Sequence, residues 1–180
     1  MNYKKIKDDI FPLNDKPLRK RYTVRGLLIK DNKVGLLHIK GEDHLFGLRN
    51  HLETPGGGID EGETPIDALK REMLEETGFK IKNIKYITTI SVEYNLLNRQ
   101  DVSRIYSCEI DEDTHKINLL EYEKGIFNGY QFYDLDTIEE TFKKFSQKGV
   151  AEIIYKRELL AIQKYKKMCK KWHTHLFLIS

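Results

Sequence analysis

A capped helix that crowds three acids onto one face constrains this chain more than any other feature. The stretch from Thr64 to Thr77 opens with a threonine suited to an N-cap, then Pro65, whose missing N–H costs nothing at a first helical position. Gly78 fits the left-handed position that closes a helix. At roughly 100° per residue, Ile66, Leu69 and Met73 form an apolar stripe, so the helix must lie on a core. Glu72, Glu75 and Glu76 stand at i, i+3 and i+4 and crowd a neighbouring face, with Ala68 leaving room beneath them. Like charges so spaced weaken a helix unless something neutralises them. A hard divalent cation that prefers carboxylate oxygens would do so. Arg71 precedes Glu75 by one turn and can hold a carboxylate by a two-pronged contact. Glu61 and Glu63 add acid at the positive end of the helix.

The residues around this helix read as strands. Tyr22 to Lys40 is a hairpin turning at Asp31-Asn32-Lys33, and Gly41 to Asn50 is a loop. His51 to Glu53 is a short strand running into Thr54-Pro55-Gly56-Gly57-Gly58, where the glycines favour an irregular, close-approaching loop. Asn83 to Tyr94, Val102 to Ile110 and Tyr130 to Tyr133 are strands; Asp136 to Gln147 and Val150 to Trp172 are helices split by Gly149. Strands before and after one central helix give an α/β chain with a mixed sheet covered by helices. Three parts are expected: a polar, extended leader over 1–20, a domain over 21–147, and a basic amphipathic helix with an apolar tail over 148–180.

Composition removes several classes of function. No apolar run approaches the ~20 residues that span a bilayer, and no secretory signal precedes the domain, so a cytoplasmic protein without membrane partners is expected. Cys108 and Cys169 make no disulfide framework, and zinc spacings are missing. The net charge of +3 says little about partners. Gly57 to Gly62 has the glycine spacing of a phosphate-binding P-loop, but Glu63 stands where its lysine must be.

A solvated acidic face is the ordinary explanation of such a helix, and here the spacing overturns it. Gly57, Glu63, Arg71, Glu72, Met73, Glu75, Glu76, Gly78 and Phe79 resemble, without a departure, the motif of the Nudix hydrolases. Chance would produce that match on the order of once in ten million chains of this size. The resemblance implies an α/β/α sandwich around a mixed β-sheet, here with an added C-terminal helix. It also implies hydrolysis of a diphosphate bond in a nucleoside diphosphate derivative by water attack on phosphorus. Mg²⁺, with Mn²⁺ as a substitute, would be bound by Glu72, Glu75, Glu76 and the Gly56 carbonyl, while Glu63 and Arg71 orient those carboxylates. The general base varies within the family; the candidates are Glu75 or Glu76, then Glu121 or Glu123 in a later loop.

Substrate contacts are less constrained. Arg25, Arg49, Arg99 and Arg104 can clamp phosphates, and Phe46 or Tyr94 can stack a base. No proline follows Pro65, so the proline markers of the ADP-ribose and NADH hydrolases are missing. In the last helix, apolar residues from Val150 to Trp172 recur at helical spacing among Lys156, Arg157, Lys164, Lys166, Lys167, Lys170 and Lys171. Packing with solvated lysines is the plainer reading; a surface for RNA is the functional one. His173 and His175 are too few for a metal site. The tail Leu176-Phe177-Leu178-Ile179 calls for a partner surface in this chain or in a second copy, a homodimer. A small-nucleotide pyrophosphohydrolase is therefore favoured. An RNA-end pyrophosphohydrolase and a non-catalytic Nudix-fold binding or regulatory module are the alternatives, and the intact motif argues against the last.

Overall fold

Parallel and antiparallel pairings join seven strands into one mixed sheet with helices on both faces. A computed structural model describes residues 3–13, 15–119, 121–145 and 147–176, with the backbone alone for 122 and 171–176. The strands are β1 (Lys4–Ile6), β2 (Arg19–Lys30), β3 (Lys33–Asp43), β4 (Gly47–Glu53), β5 (Phe79–Tyr94), β6 (Arg99–Asp113) and β7 (Phe127–Asp134). The helices are α1 (Pro65–Thr77), α2 (Glu121–Lys124), α3 (Ile138–Lys143) and α4 (Val150–Leu176). The sheet order is β1-β5-β6-β2-β3-β4, with β7 on β3. The β1/β5 and β2/β6 pairs are parallel and the others antiparallel.

Asp31 and Asn32 both take positive φ, 48° and 58°, the geometry a two-residue hairpin needs, so the turn between β2 and β3 sits at these residues. Beyond it β3 pairs with β2 only as far as Leu28↔Gly35, and from Leu37↔Glu53 onward it pairs with β4. Because β7 takes the other edge of β3, β2 and β4 share one edge in succession and splay apart. The glycine loop after β4 runs back along β2: Val24 N–H donates to the Gly57 carbonyl at 2.9 Å, Gly26 N–H to the Pro55 carbonyl at 2.9 Å, and Ile59 N–H returns a bond to the Tyr22 carbonyl at 3.1 Å.

Two cores flank the sheet. Leu69, Met73 and Ala68 of α1 are fully buried against Val24, Leu28, Phe79, Tyr106 and Cys108. Burying a leucine or methionine contributes about 1.5–3 kcal/mol, which is what holds α1 and its acids to β2. On the other face α3 and α4 bring Ile138, Phe142, Ile153, Ile154, Ala161 and Ile162 onto Leu27, Leu36, Leu52, Ile90 and Ile105. The α1 caps are as the sequence predicts: Thr64 Oγ1 accepts from Asp67 N–H, and Gly78 has φ 75°.

Three sequence expectations are corrected. The leader is not merely extended: β1 adds to the sheet beside β5, and Asp8 accepts from the N–H groups of Ile10, Phe11 and Asn95. Gly41 to Asn50 is not a loop but two strand ends around 44–46, because Asp43 Oδ1 accepts from the N–H groups of Leu45 and Phe46 and closes a tight turn. In the final helix Arg157 does not belong with the basic residues that surround the apolar stripe, since it is buried, and Lys156 pairs with Asp9 and Glu152. The side chains of Trp172, His173 and His175, and the tail Phe177 to Ile179, lie outside the described residues. Among the described residues no helix is long and apolar enough to cross a membrane.

Candidate active site

A cleft of about 530 Å³ opens where β2 and β4 splay, walled by α1, the glycine loop, β3, β6, the 121–127 segment and α4. The glycine loop fits there only with small residues. A Cβ on Gly56, whose φ is 136°, would overlap the Val24 carbonyl, and one on Gly57 would overlap the Glu72 carboxylate. Backbone can thus approach α1 closely, and Gly56 N–H donates to Glu76 Oε2 at 2.6 Å.

Arg71 organises the acidic wall. Its guanidinium donates to Glu63 twice at 2.9 Å, to Glu72 at 2.9 Å, to Glu75 at 3.2 Å and to the Gly58 carbonyl at 3.0 Å. That hydrogen bonding holds the Glu63 carboxyl below its ordinary pKa and raises that of Arg71. Burial raises Glu72 against the pull of Arg71. Burial also drives Glu76 well above the carboxylate range, against Arg25 and the Gly56 N–H. Glu72, Glu75, Glu76 and Gly56 all line the cleft. Even so, among the described residues no group of three His, Cys, Asp or Glu side chains is drawn close enough to hold an ion. The reason is visible: Arg71 spans Glu72 and Glu75, while Glu76 turns to the Gly56 N–H. The donor set still fits a hard cation, since every donor it offers is oxygen and Glu72, Glu75, Glu76 and Gly56 all line the cleft.

Across the cleft the wall is cationic and aromatic. Arg25 donates from Nη1 to the Thr54 carbonyl at 2.7 Å. Arg49 lies 6.0 Å from the Phe46 ring centre and 3.6 Å from Asp43. Arg99 covers the Tyr94 ring at 5.7 Å and pairs with Asp101 at 2.7 Å. Of the predicted phosphate clamps, Arg25, Arg49 and Arg99 line the cleft, as do Phe46 and Tyr94. Arg104 does not. It is exposed on β6, where its neighbour Ser103 takes the opposite, buried face and bonds Thr23. Of the later-loop acids, Glu123 lines the cleft; Glu121 is exposed, pairs with Lys124 and is not part of it.

Two residues that the sequence analysis did not place in the site line the cleft. The Glu53 side chain is 12% exposed, and despite the penalty of that burial its carboxyl is held down to about 2 by Arg25, His51, Arg49 and Arg157. Arg157 reaches in from α4, only 2% exposed. Its position was readable in one respect, because it falls on the apolar stripe one turn from Ile153, Ile154 and Ala161, where a charge is out of place.

The comparisons with known proteins agree with this geometry. A family model described as the NUDIX domain matches residues 19–153. The RNA pyrophosphohydrolase of Sulfurovum sp. is 32% identical over 120 residues, spanning 62% of this chain and 76% of that protein. The 8-oxo-dGTP diphosphatase of Buchnera aphidicola is 34% identical over 76 residues, 41% of this chain and 56% of that protein. A solved NUDIX hydrolase from Nitrosomonas europaea shares the fold, with a TM-score of 0.63 at 18% identity over 83% of this chain and 90% of the other. With the domain match running through most of the sequence and the cleft built on its motif, the chain belongs to the Nudix family and is a hydrolase of phosphorus anhydrides.

Proposed function

We propose that this protein is a Mg²⁺-dependent pyrophosphohydrolase of a small nucleotide, cleaving a diphosphate bond in a nucleoside diphosphate derivative. The observation that carries this reading is the placement of Glu72, Glu75 and Glu76 on one wall of a nucleotide-sized cleft whose opposite wall holds Arg25, Arg49 and Arg99. Glu72, Glu75, Glu76 and the Gly56 carbonyl would hold the cation, which when bound offsets diphosphate charge and acidifies a water. Glu63 and Arg71 fix the rotamers of the carboxylates, as outer partners of a metal site do. The arginines hold phosphate oxygens in line for attack, and Phe46 offers a ring to a base, whereas Tyr94 is only 5% exposed and its ring is covered by Arg99. As water oxygen bonds to phosphorus, the bridging P–O bond breaks and the proton passes to a carboxylate. Glu75, Glu76 and Glu123 face the cleft and are the candidates for that proton. The catalytic unit includes α4, which lines the cleft through Val150, Ile154 and Arg157.

The names of the relatives favour a second reading, hydrolysis of an RNA 5′ end, with the α4 lysines as its contact surface. A turnover panel with Mg²⁺ separates the two: nucleoside triphosphates and their oxidised forms, ADP-ribose, nucleotide sugars, dinucleoside polyphosphates and triphosphate-ended RNA, with products weighed. One small nucleotide turned over far above the rest is expected. The chain carrying Glu76→Gln should stay folded and lose about 10²–10⁴ in rate. RNA as the best substrate moves the conclusion to the second reading, and turnover unchanged by Glu76→Gln sinks the metal assignment.

A further inference from the structure

Beyond the matched domain, α4 places a fully buried arginine against the floor of the cleft. Arg157 donates from Nε to Glu158 Oε1 at 3.0 Å, and its Nη2 also meets that oxygen. Nη2 is 3.5 Å from Glu53 Oε2, and Nη1 is 3.4 Å from the Tyr94 hydroxyl. The same Glu53 oxygen lies 3.9 Å from Arg25 Nη1 and 4.0 Å from His51 Nε2. Arg25 in turn grips the Thr54 carbonyl at 2.7 Å, where the glycine loop begins, and Gly56 of that loop holds Glu76. A continuous run of contacts thus leads from α4 to the acid at the centre of the proposed metal site.

From this juxtaposition we infer that Arg157 is a positioning residue of the active site, fixing Glu53 and Arg25 so that the glycine loop presents Glu76 correctly. The inference rests on the metal reading above and extends the site past residue 153, where the family match ends. Arginine suits the task because its planar fork reaches Glu158, Glu53 and Tyr94 at once, which a lysine ammonium cannot do. Two neighbouring charges buried on one helix also make poor sense as packing alone, since apolar residues there would be no less stable. Glu158 is 1% exposed and its Oε2 has no hydrogen-bond partner, so it does not close the network by itself.

The test is Arg157→Lys, which keeps the charge and loses the fork. Free Mn²⁺ binding, followed by electron paramagnetic resonance without nucleotide, should weaken about tenfold, the low end for outer partners of a metal site. On the panel's best substrate kcat should fall while KM stays near the wild-type value, and the melting temperature should hold. Wild-type Mn²⁺ affinity and kcat in this variant overturn the inference. If Arg157→Lys does not fold, the double variant Arg157→Met/Glu158→Gln removes both buried charges of α4. Loss of Mn²⁺ affinity in that folded chain supports the inference, and retention overturns it. Wild-type Mn²⁺ binding by Glu76→Gln defeats the metal reading itself, and this inference with it.

Discussion

His51 and Glu53 sit two residues apart on β4 and respond oppositely to the burial they share. Burial, outweighing the attraction of Glu53, drives His51 down from 6.5 to about 4, so it is neutral in the folded chain. An unfolded chain takes up that proton first, so the stability linked to His51 is complete above pH 6.5 and drains away as pH falls towards 4. Glu53, lowered from 4.5 to about 2, adds a second loss below pH 4.5. Glu76, raised by burial, works the other way: its contribution is present below pH 4.5 and lost as pH rises through its folded value. Urea unfolding across pH 8 to 3 should therefore show stability dropping between pH 6.5 and 4 by roughly 3 kcal/mol from His51. In His51→Asn that fall should shrink; an unchanged slope would refute the assignment. None of this was readable at residue level beforehand. The motif acids were legible because local spacing defines them, whereas Glu53 acquires its partners only once β2, β4 and α4 meet.

Among the elements, α1 was the most legible, for its signals are all local: a cap, a proline, an apolar stripe and a terminal glycine. The cap can be tested directly. Thr64→Ala removes the hydroxyl that accepts from Asp67 N–H, and should cost about 1 kcal/mol of stability in a urea titration. A cost near zero would mean that the packing of Leu69 and Met73 fixes the helix start without the cap. The strands were harder. Gly41 and Gly47 look like loop residues, yet they pair across β3 and β4 with Arg49 and Asp43, and glycine content misled where pairing decided. The leader failed for a different reason: β1 is too short to announce itself, and its partner β5 lies far along the sequence. In α4 the apolar periodicity was plain and set Arg157 on the buried stripe, but nothing in it named the partners that the charge would meet.

At the scale of the whole molecule, α4 is part of the core. Val150, Ile153, Ile154, Ala161 and Ile162 are all buried in the cluster that also holds β5 and β3 residues. A chain stopped at Gly149 should accordingly lose cooperative melting by calorimetry and expose apolar surface to a dye; a sharp transition would show the domain complete without the helix. The sheet carries a further consequence, for speed. β2 and β6 lie parallel with Arg19 beside Arg99, and β1 pairs Lys4 with Ile90, so both ladders join segments that are remote along the chain. The entropy of closing such loops must be spent before any pairing rewards it. Refolding should fall towards the slow, millisecond-to-second end of single domains. During that wait β5 and β6, already matched as neighbours, present open edges to other chains, so the crowdedness of the solution will govern how much protein reaches the native state.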